Sequence, residues 1–180
     1  MSYHEEGGLG ELCSIGGGFK LIESVASIIC CMLHRIGNRG QQIFFGATDM
    51  ILHSQDDRYE TEADTEIIGS GTVTAFAIIS PLLLMTYIAE GRSAVQRTFM
   101  DAVFSLAGGG LFLATGGMTC FAWNNALTTN ANIGRRDYEA AGALGVMSLA
   151  TGVLYIIDFF YLMYRRSVIL EQEEMEQNGY

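Results

Sequence analysis

The sequence predicts an all-α membrane protein, a four-transmembrane helix bundle with a 30-residue first outer loop (Gly37 to Glu66). Three observations carry this. Four long apolar stretches fill most of the 180 residues, and Ala102 to Gly134 runs for 33 residues without a formal charge. Ile67 to Ala89 is also uncharged, and Ala140 to Tyr164 carries one charge, Asp158. A bilayer core about 30 Å thick takes roughly 20 helical residues to cross, and helices suit it because they satisfy their own backbone polar groups.

The expected spans are about 19–36, 67–89, 99–123 and 140–164. The first is the weakest. Only Ser24 to Leu33 is free of Lys20, Glu23, His34 and Arg35, so it crosses if those end groups snorkel to the interface; the alternative is an amphipathic helix lying in the membrane surface. Pro81 removes one backbone donor from the second span and is expected to kink it near mid-depth. In the fourth span Ala141, Gly145, Ser148 and Gly152 recur at spacings of four, three and four, and the third offers Ser105, Gly109 and Gly116. Such small residues let helices approach closely. They point first to packing within the chain and second to a surface for another membrane protein.

Outside the spans lie a flexible Gly-rich tail (Met1 to Gly18), a tight second loop (Glu90 to Arg97), a third loop (Asn124 to Glu139) and an acidic tail (167–180). His4, Glu5 and Glu6 stand where a signal peptide would be basic, so the first helix is expected to serve as an uncleaved anchor. Residue 2 is Ser2, which gives no myristoylation signal. The net charge of −10 disfavours nucleic acid as a partner. Orientation does not follow from charge: with five Lys or Arg on each side, the positive-inside rule is silent.

The first loop holds Asp49, Asp56, Asp57, Glu60, Glu62, Asp64 and Glu66 against Arg39 and Arg58. Glu60, Glu62, Asp64 and Glu66 alternate with other residues, so an extended chain would set four acids on one face. The EF-hand pattern is absent, and a solvated strand or coil is the expectation there. Ile43, Phe44 and Phe45 form an apolar knot suited to contact with a membrane surface or a partner. Neither large loop contains a cysteine pair, since the cysteines are Cys13, Cys30, Cys31 and Cys120. Cys30 and His34 share a helix face, which reads as ordinary helix surface rather than a metal site.

Glu23, Asp101 and Asp158 are the intramembrane acids. Because alternate helices run in opposite directions, all three fall near the membrane face that carries the termini, with Asp158 deepest, about 10 Å before Arg165 at helical rise. Together they can form one polar layer. Lys20 with Glu23 and Arg97 with Asp101 are plausible local pairs, whereas Asp158 lacks one. An acid in lipid faces the bundle or a partner, so Asp158 is open to three roles: hydrogen-bonded glue, partner contact, or ion and proton handling. There is no G-x-S-x-G, P-loop, H-E-x-x-H or paired-cysteine motif. No catalytic residue, metal or cofactor is expected.

The order of features resembles the insect snakeskin-type proteins, four-span components of smooth septate junctions. The resemblance is carried by Glu23-Ser24-Val25-Ala26-Ser27-Ile28 and His34-Arg35-Ile36-Gly37 in the first span, Glu66-Ile67-Ile68-Gly69-Ser70-Gly71 opening the second, and Leu154-Tyr155-Ile156-Ile157-Asp158 in the fourth. It runs from about Leu21 to Arg166 and rests on order and spacing. The first 18 residues and Arg135-Arg136 depart from the pattern. The resemblance implies a multi-pass protein of the plasma membrane at lateral cell–cell junctions, with both termini cytoplasmic. It also implies a structural part in the paracellular barrier beside other junction membrane proteins, with homo-oligomers as an option. The alternatives from other classes are an ion-transport or channel-associated subunit, with Asp158 and Pro81 lining the path, and a tetraspan vesicle-trafficking protein.

Overall fold

A computed structural model describes residues 10, 12, 14–37, 59–91, 95, 99–128, 135–177 and 179. Among them the regular structure is helical: α1 (Ile15–Gly37), α2 (Tyr59–Glu90), α3 (Phe99–Thr128) and α4 (Arg135–Gln177). Each contains a segment long and apolar enough to cross a membrane, namely Ile15–Arg35, Ile67–Glu90, Phe99–Phe121 and Glu139–Gln172. The principal contacts join α1 to α2, α2 to α3, α3 to α4 and α4 back to α1, with the α3–α4 pair the most extensive. The result is an all-α four-helix bundle in which chain neighbours are spatial neighbours, as short connections favour.

Helix ends differ from the expected spans for local reasons. α1 starts at Ile15 rather than Phe19, because the Ser14 hydroxyl accepts a hydrogen bond from the Gly17 N–H at 3.1 Å and caps the first turn. α2 starts at Tyr59, so Glu60, Glu62, Asp64 and Glu66 belong to a helix and not to a strand or coil. The period-two acidic face therefore does not form. Acids in the opening turns suit the positive end of the helix dipole instead. α2 ends at Glu90, before Gly91, whose φ of 81° is left-handed and whose N–H bonds the Tyr87 carbonyl at 3.1 Å, a glycine stop that leads into the second loop. Pro81 lies inside α2, which continues through it to Glu90. α4 extends past Arg165 and Arg166 to Gln177; at 43 residues it is about 64 Å long at helical rise, roughly twice the hydrocarbon thickness.

Large apolar side chains cover the outside of every helix: Ile22 and Met32, Ile78 and Leu82, Leu106 and Phe121, Val153 and Phe160 are all exposed. Apolar exterior on that scale suits lipid rather than water. Polar residues lie inside. α1 is the clearest case, with Lys20, Glu23, Ser24, Ser27, Cys30 and His34 buried while Leu21, Ile22, Val25, Ile28, Ile29 and Met32 face out. Its amphipathicity points its polar stripe at the bundle and its apolar stripe at lipid, which excludes the surface-lying alternative for this helix.

α3 and α4 meet along a glycine seam. A Cβ on Gly116 would sit 2.7 Å from the Leu149 nitrogen and 3.0 Å from the Gly145 carbonyl oxygen, and one on Gly152 would sit 2.8 Å from the Leu113 nitrogen and 3.1 Å from the Gly109 oxygen. Gly109 and Gly116 on α3 thus face Gly152 and Gly145 on α4, two pairs one heptad apart on antiparallel helices. Backbones approach there because no side chain intervenes.

Candidate functional site

Lys20 is the centre of the buried polar layer. Its ammonium lies 2.6 Å from Asp158 Oδ2, 3.1 Å from Glu23 Oε2 and 3.0 Å from Ser105 Oγ, which accounts for its three protons. Asp101 Oδ1 lies 2.8 Å away as a further ion-pair contact, off the hydrogen-bonding direction. Ser105 donates to Asp158 Oδ2 at 2.9 Å, and the Tyr87 hydroxyl donates to Asp101 Oδ2 at 2.7 Å. One residue set thereby draws on all four helices. The side chains of Lys20, Glu23 and Asp158 are 0% exposed and that of Asp101 is 1% exposed.

The topology explains the convergence. Lys20 lies in the second turn of α1, Tyr87 in the last turn of α2, Asp101 and Ser105 in the first two turns of α3, and Asp158 seven residues before Arg165 on α4. An up-down-up-down bundle brings these four ends to one membrane face. A buried charge is costly without a partner, and here one lysine serves acids from three helices. Three carboxyl oxygens, Glu23 Oε1, Asp101 Oδ1 and Asp158 Oδ1, are buried with no hydrogen-bond partner among the described residues, Asp101 Oδ1 having only its ion-pair contact with Lys20.

Deeper in the bundle, Tyr155 on α4 ties two further helices. Its hydroxyl pairs with Ser27 of α1 at 3.1 Å and with Ser80 of α2. Its ring stacks on Phe112 with centroids 5.7 Å apart and meets Phe76 edge-on at 5.5 Å. Gly108 leaves the room: a Cβ there would lie 2.7 Å from the Phe76 ring and 3.2 Å from the Tyr155 ring. Beyond this, the Cys30 thiol contacts Thr151 Oγ1 at 3.7 Å and Ser148 Oγ at 3.9 Å. Thr72 and Thr119 return their hydroxyls to backbone carbonyls four residues earlier, a common way to satisfy a hydroxyl in a membrane helix.

Against the sequence reading, three placements change. Lys20 does not snorkel as an end group; it is enclosed, and its partners include Asp158 and Asp101 as well as the local Glu23. Ser105 hydrogen-bonds in the ionic layer instead of acting as a small packing residue. Ser148 and Gly145, read as one stripe, divide between neighbours, Ser148 toward Cys30 of α1 and Gly145 toward Cys120 of α3. Ala141 is half-buried beside the aromatic core. Arg97 lies outside the described residues, so its pairing with Asp101 does too, as do Ile43, Phe44 and Phe45. The side chains of Glu60, Glu62, Asp64 and Glu66 are likewise not described.

Sequence reasoning missed Tyr87, Tyr155, Ser27 and Ser80. A usable signal existed for α1, where polar residues at 20, 23, 27, 30 and 34 recur at three and four and mark one helix face. For Tyr87 and Tyr155, embedded in apolar runs, no local pattern separates a bundle-facing tyrosine from a lipid-facing one.

No family model matches the chain, and no solved structure does. Among curated proteins it is similar to the protein snakeskin of Drosophila melanogaster, 22% identical over 140 residues that cover 77% of this chain and 82% of the relative. It is also similar to the protein snakeskin of Bombyx mori, 22% identical over 140 residues that cover 77% of this chain and 85% of that relative. The similarity to the snakeskin proteins runs along most of both lengths and coincides with four helices long and apolar enough to cross a membrane.

Proposed function

We propose that this chain is a structural, non-enzymatic component of smooth septate junctions that supports cell–cell contact and the paracellular barrier. The observation that carries the reading is similarity to snakeskin proteins over more than three quarters of the chain. The bundle interior supports it. Asp158, the residue on which an ion path would depend, is enclosed and bonded to Lys20 and Ser105, the geometry of helix-to-helix glue rather than of a pore lining.

On this reading both termini are cytoplasmic, and the segment from Gly37 to Glu66 and the α3–α4 connection face the intercellular space. The acidic residues of the first outer segment set up a field there that favours cations over anions. Lateral assembly with other junction membrane proteins, or with further copies, uses the lipid-facing exterior, since Gly109, Gly116, Gly145 and Gly152 are engaged within the chain. The test is localisation of the tagged protein in a polarised gut epithelium, with a tracer-leak assay after its depletion. Enrichment at lateral contacts and increased leak are expected; intracellular vesicles with an intact barrier would point to trafficking instead.

A further inference from the structure

The Lys20 layer is unbalanced. One ammonium faces Glu23 from α1, Asp101 from α3 and Asp158 from α4, with the neutral hydroxyls of Tyr87 from α2 and Ser105 from α3 alongside. Among the described residues no second cation ion-pairs with these acids. If every carboxyl is ionised, two negative charges remain uncompensated by the described residues. Carboxyl oxygens that all lie within 3.1 Å of one nitrogen are within about 6 Å of one another, close enough for like charges to disfavour joint ionisation. On the described residues alone, the layer is short of positive charge. A partner's lysine or arginine has no access, because the acid side chains are at most 1% exposed. A metal ion is disfavoured as well: no group of three or more acids, histidines or cysteines among the described residues is arranged to hold one, and Lys20 occupies the position where the carboxyls converge.

We propose that the layer is an intramembrane proton-binding site and that Glu23 is the acid that carries the proton. The hydrogen bonds separate the three carboxyls. Asp158 Oδ2 accepts from both Lys20 and Ser105, at 2.6 and 2.9 Å. Asp101 accepts from Tyr87 on one oxygen, at 2.7 Å, and faces Lys20 with the other, at 2.8 Å. Each of these two aspartates thus has two donor contacts against one for Glu23, closer to the environment of a carboxylate. Glu23 accepts a single hydrogen bond, and its contact with Lys20 is the longest of the three at 3.1 Å; its Oε1, like Asp101 Oδ1 and Asp158 Oδ1, is buried with no hydrogen-bond partner among the described residues. A proton on Oε1 removes one unit of negative charge and leaves Oε2 free to accept from Lys20. The site then holds one ammonium, two donor-rich carboxylates and one neutral acid that can release or take up a proton when the bundle end loosens.

Glu23→Gln mimics the protonated acid in shape and charge, and comparison with Asp158→Asn in full-length protein in lipid nanodiscs tests the assignment. At neutral pH, E23Q is expected to keep the wild-type thermal midpoint, while D158N lowers it. The infrared spectrum of the wild type should contain a protonated-carboxyl carbonyl band, and E23Q should lose it. A fall in midpoint for E23Q as large as that for D158N, including failure to fold, overturns the proposal. So does absence of the band from the wild type, which needs no variant, and so does its persistence in E23Q, which would put the proton on an aspartate. None of these readouts depends on where in the cell the protein resides, so they fail or succeed independently of the junction reading.

Discussion

The Lys20 layer and the α3–α4 glycine seam hold helices together by opposite means. The layer uses long, charged side chains that reach across a gap and meet at one nitrogen. The seam uses no side chain at all, and its backbones close to contacts that a single Cβ would obstruct. In water both would compete with the hydrophobic effect. In lipid that driving force between helices is absent, leaving van der Waals packing and polar contacts to do the joining. The layer links all four helices, α2 through the bond of Tyr87 to Asp101 of α3, whereas the seam fixes one pair. Damage should therefore spread from the first and stay local at the second.

The largest effect is expected for Lys20→Met. It leaves three buried acids without their cation, and breaking a buried pair from one side costs about 3–5 kcal/mol. Reversible unfolding in mixed micelles should show this loss, and adding Asp101→Asn and Asp158→Asn to the same chain should recover part of it. No recovery would mean that Lys20 acts by packing rather than charge. Next comes Gly152→Leu, because even its Cβ would lie 2.8 Å from the Leu113 nitrogen; overpacking of this kind costs about 1–3 kcal/mol. Spin labels on α3 and α4 should report a wider separation, with the distance from α1 to α2 unchanged. A change at all four helices would erase the contrast between spreading and local damage.

Smaller effects sharpen the same contrast. Tyr155→Phe keeps the stacked rings but removes the hydroxyl shared by Ser27 and Ser80, and interhelical hydrogen bonds in membranes average about 0.6 kcal/mol. The expected loss is of that order, read from the same unfolding transition. Gly110→Ala and Gly117→Ala, on the outside of α3 with open space around the added Cβ, should change fold stability by less than about 0.5 kcal/mol. If either variant instead alters the size of complexes extracted in mild detergent while the fold is unchanged, the exterior of α3 is an assembly surface.

Much of the fold was legible in the sequence. Uninterrupted apolar length marks a membrane helix, since the bilayer sets the number of residues required, and this held even for the charge-bearing first span. The exact ends were less legible. The start at Ile15 depends on one hydroxyl, Ser14. The start at Tyr59 runs against an acidic alternation that looked extended. The three acids were visible as anomalies in apolar runs, but their common partner was not. Lys20 near a helix end has two outlets, outward along the helix to the interface or inward to the bundle, and the sequence is compatible with both.

By itself, then, the sequence determined that four helices cross a membrane, which residues are out of place there, and, from the alternation of direction, that those residues gather near one face. The tertiary structure decided which side of each helix looks inward. That choice turned α1 polar side in, enclosed Lys20 among Glu23, Asp101 and Asp158, and spent the small residues of α3 and α4 on each other. The reason is physical. Lipid rewards apolar length whatever the rotation of a helix about its axis, so outside α1, whose polar periodicity marks its inner face, rotation is fixed by contacts between segments far apart in the chain.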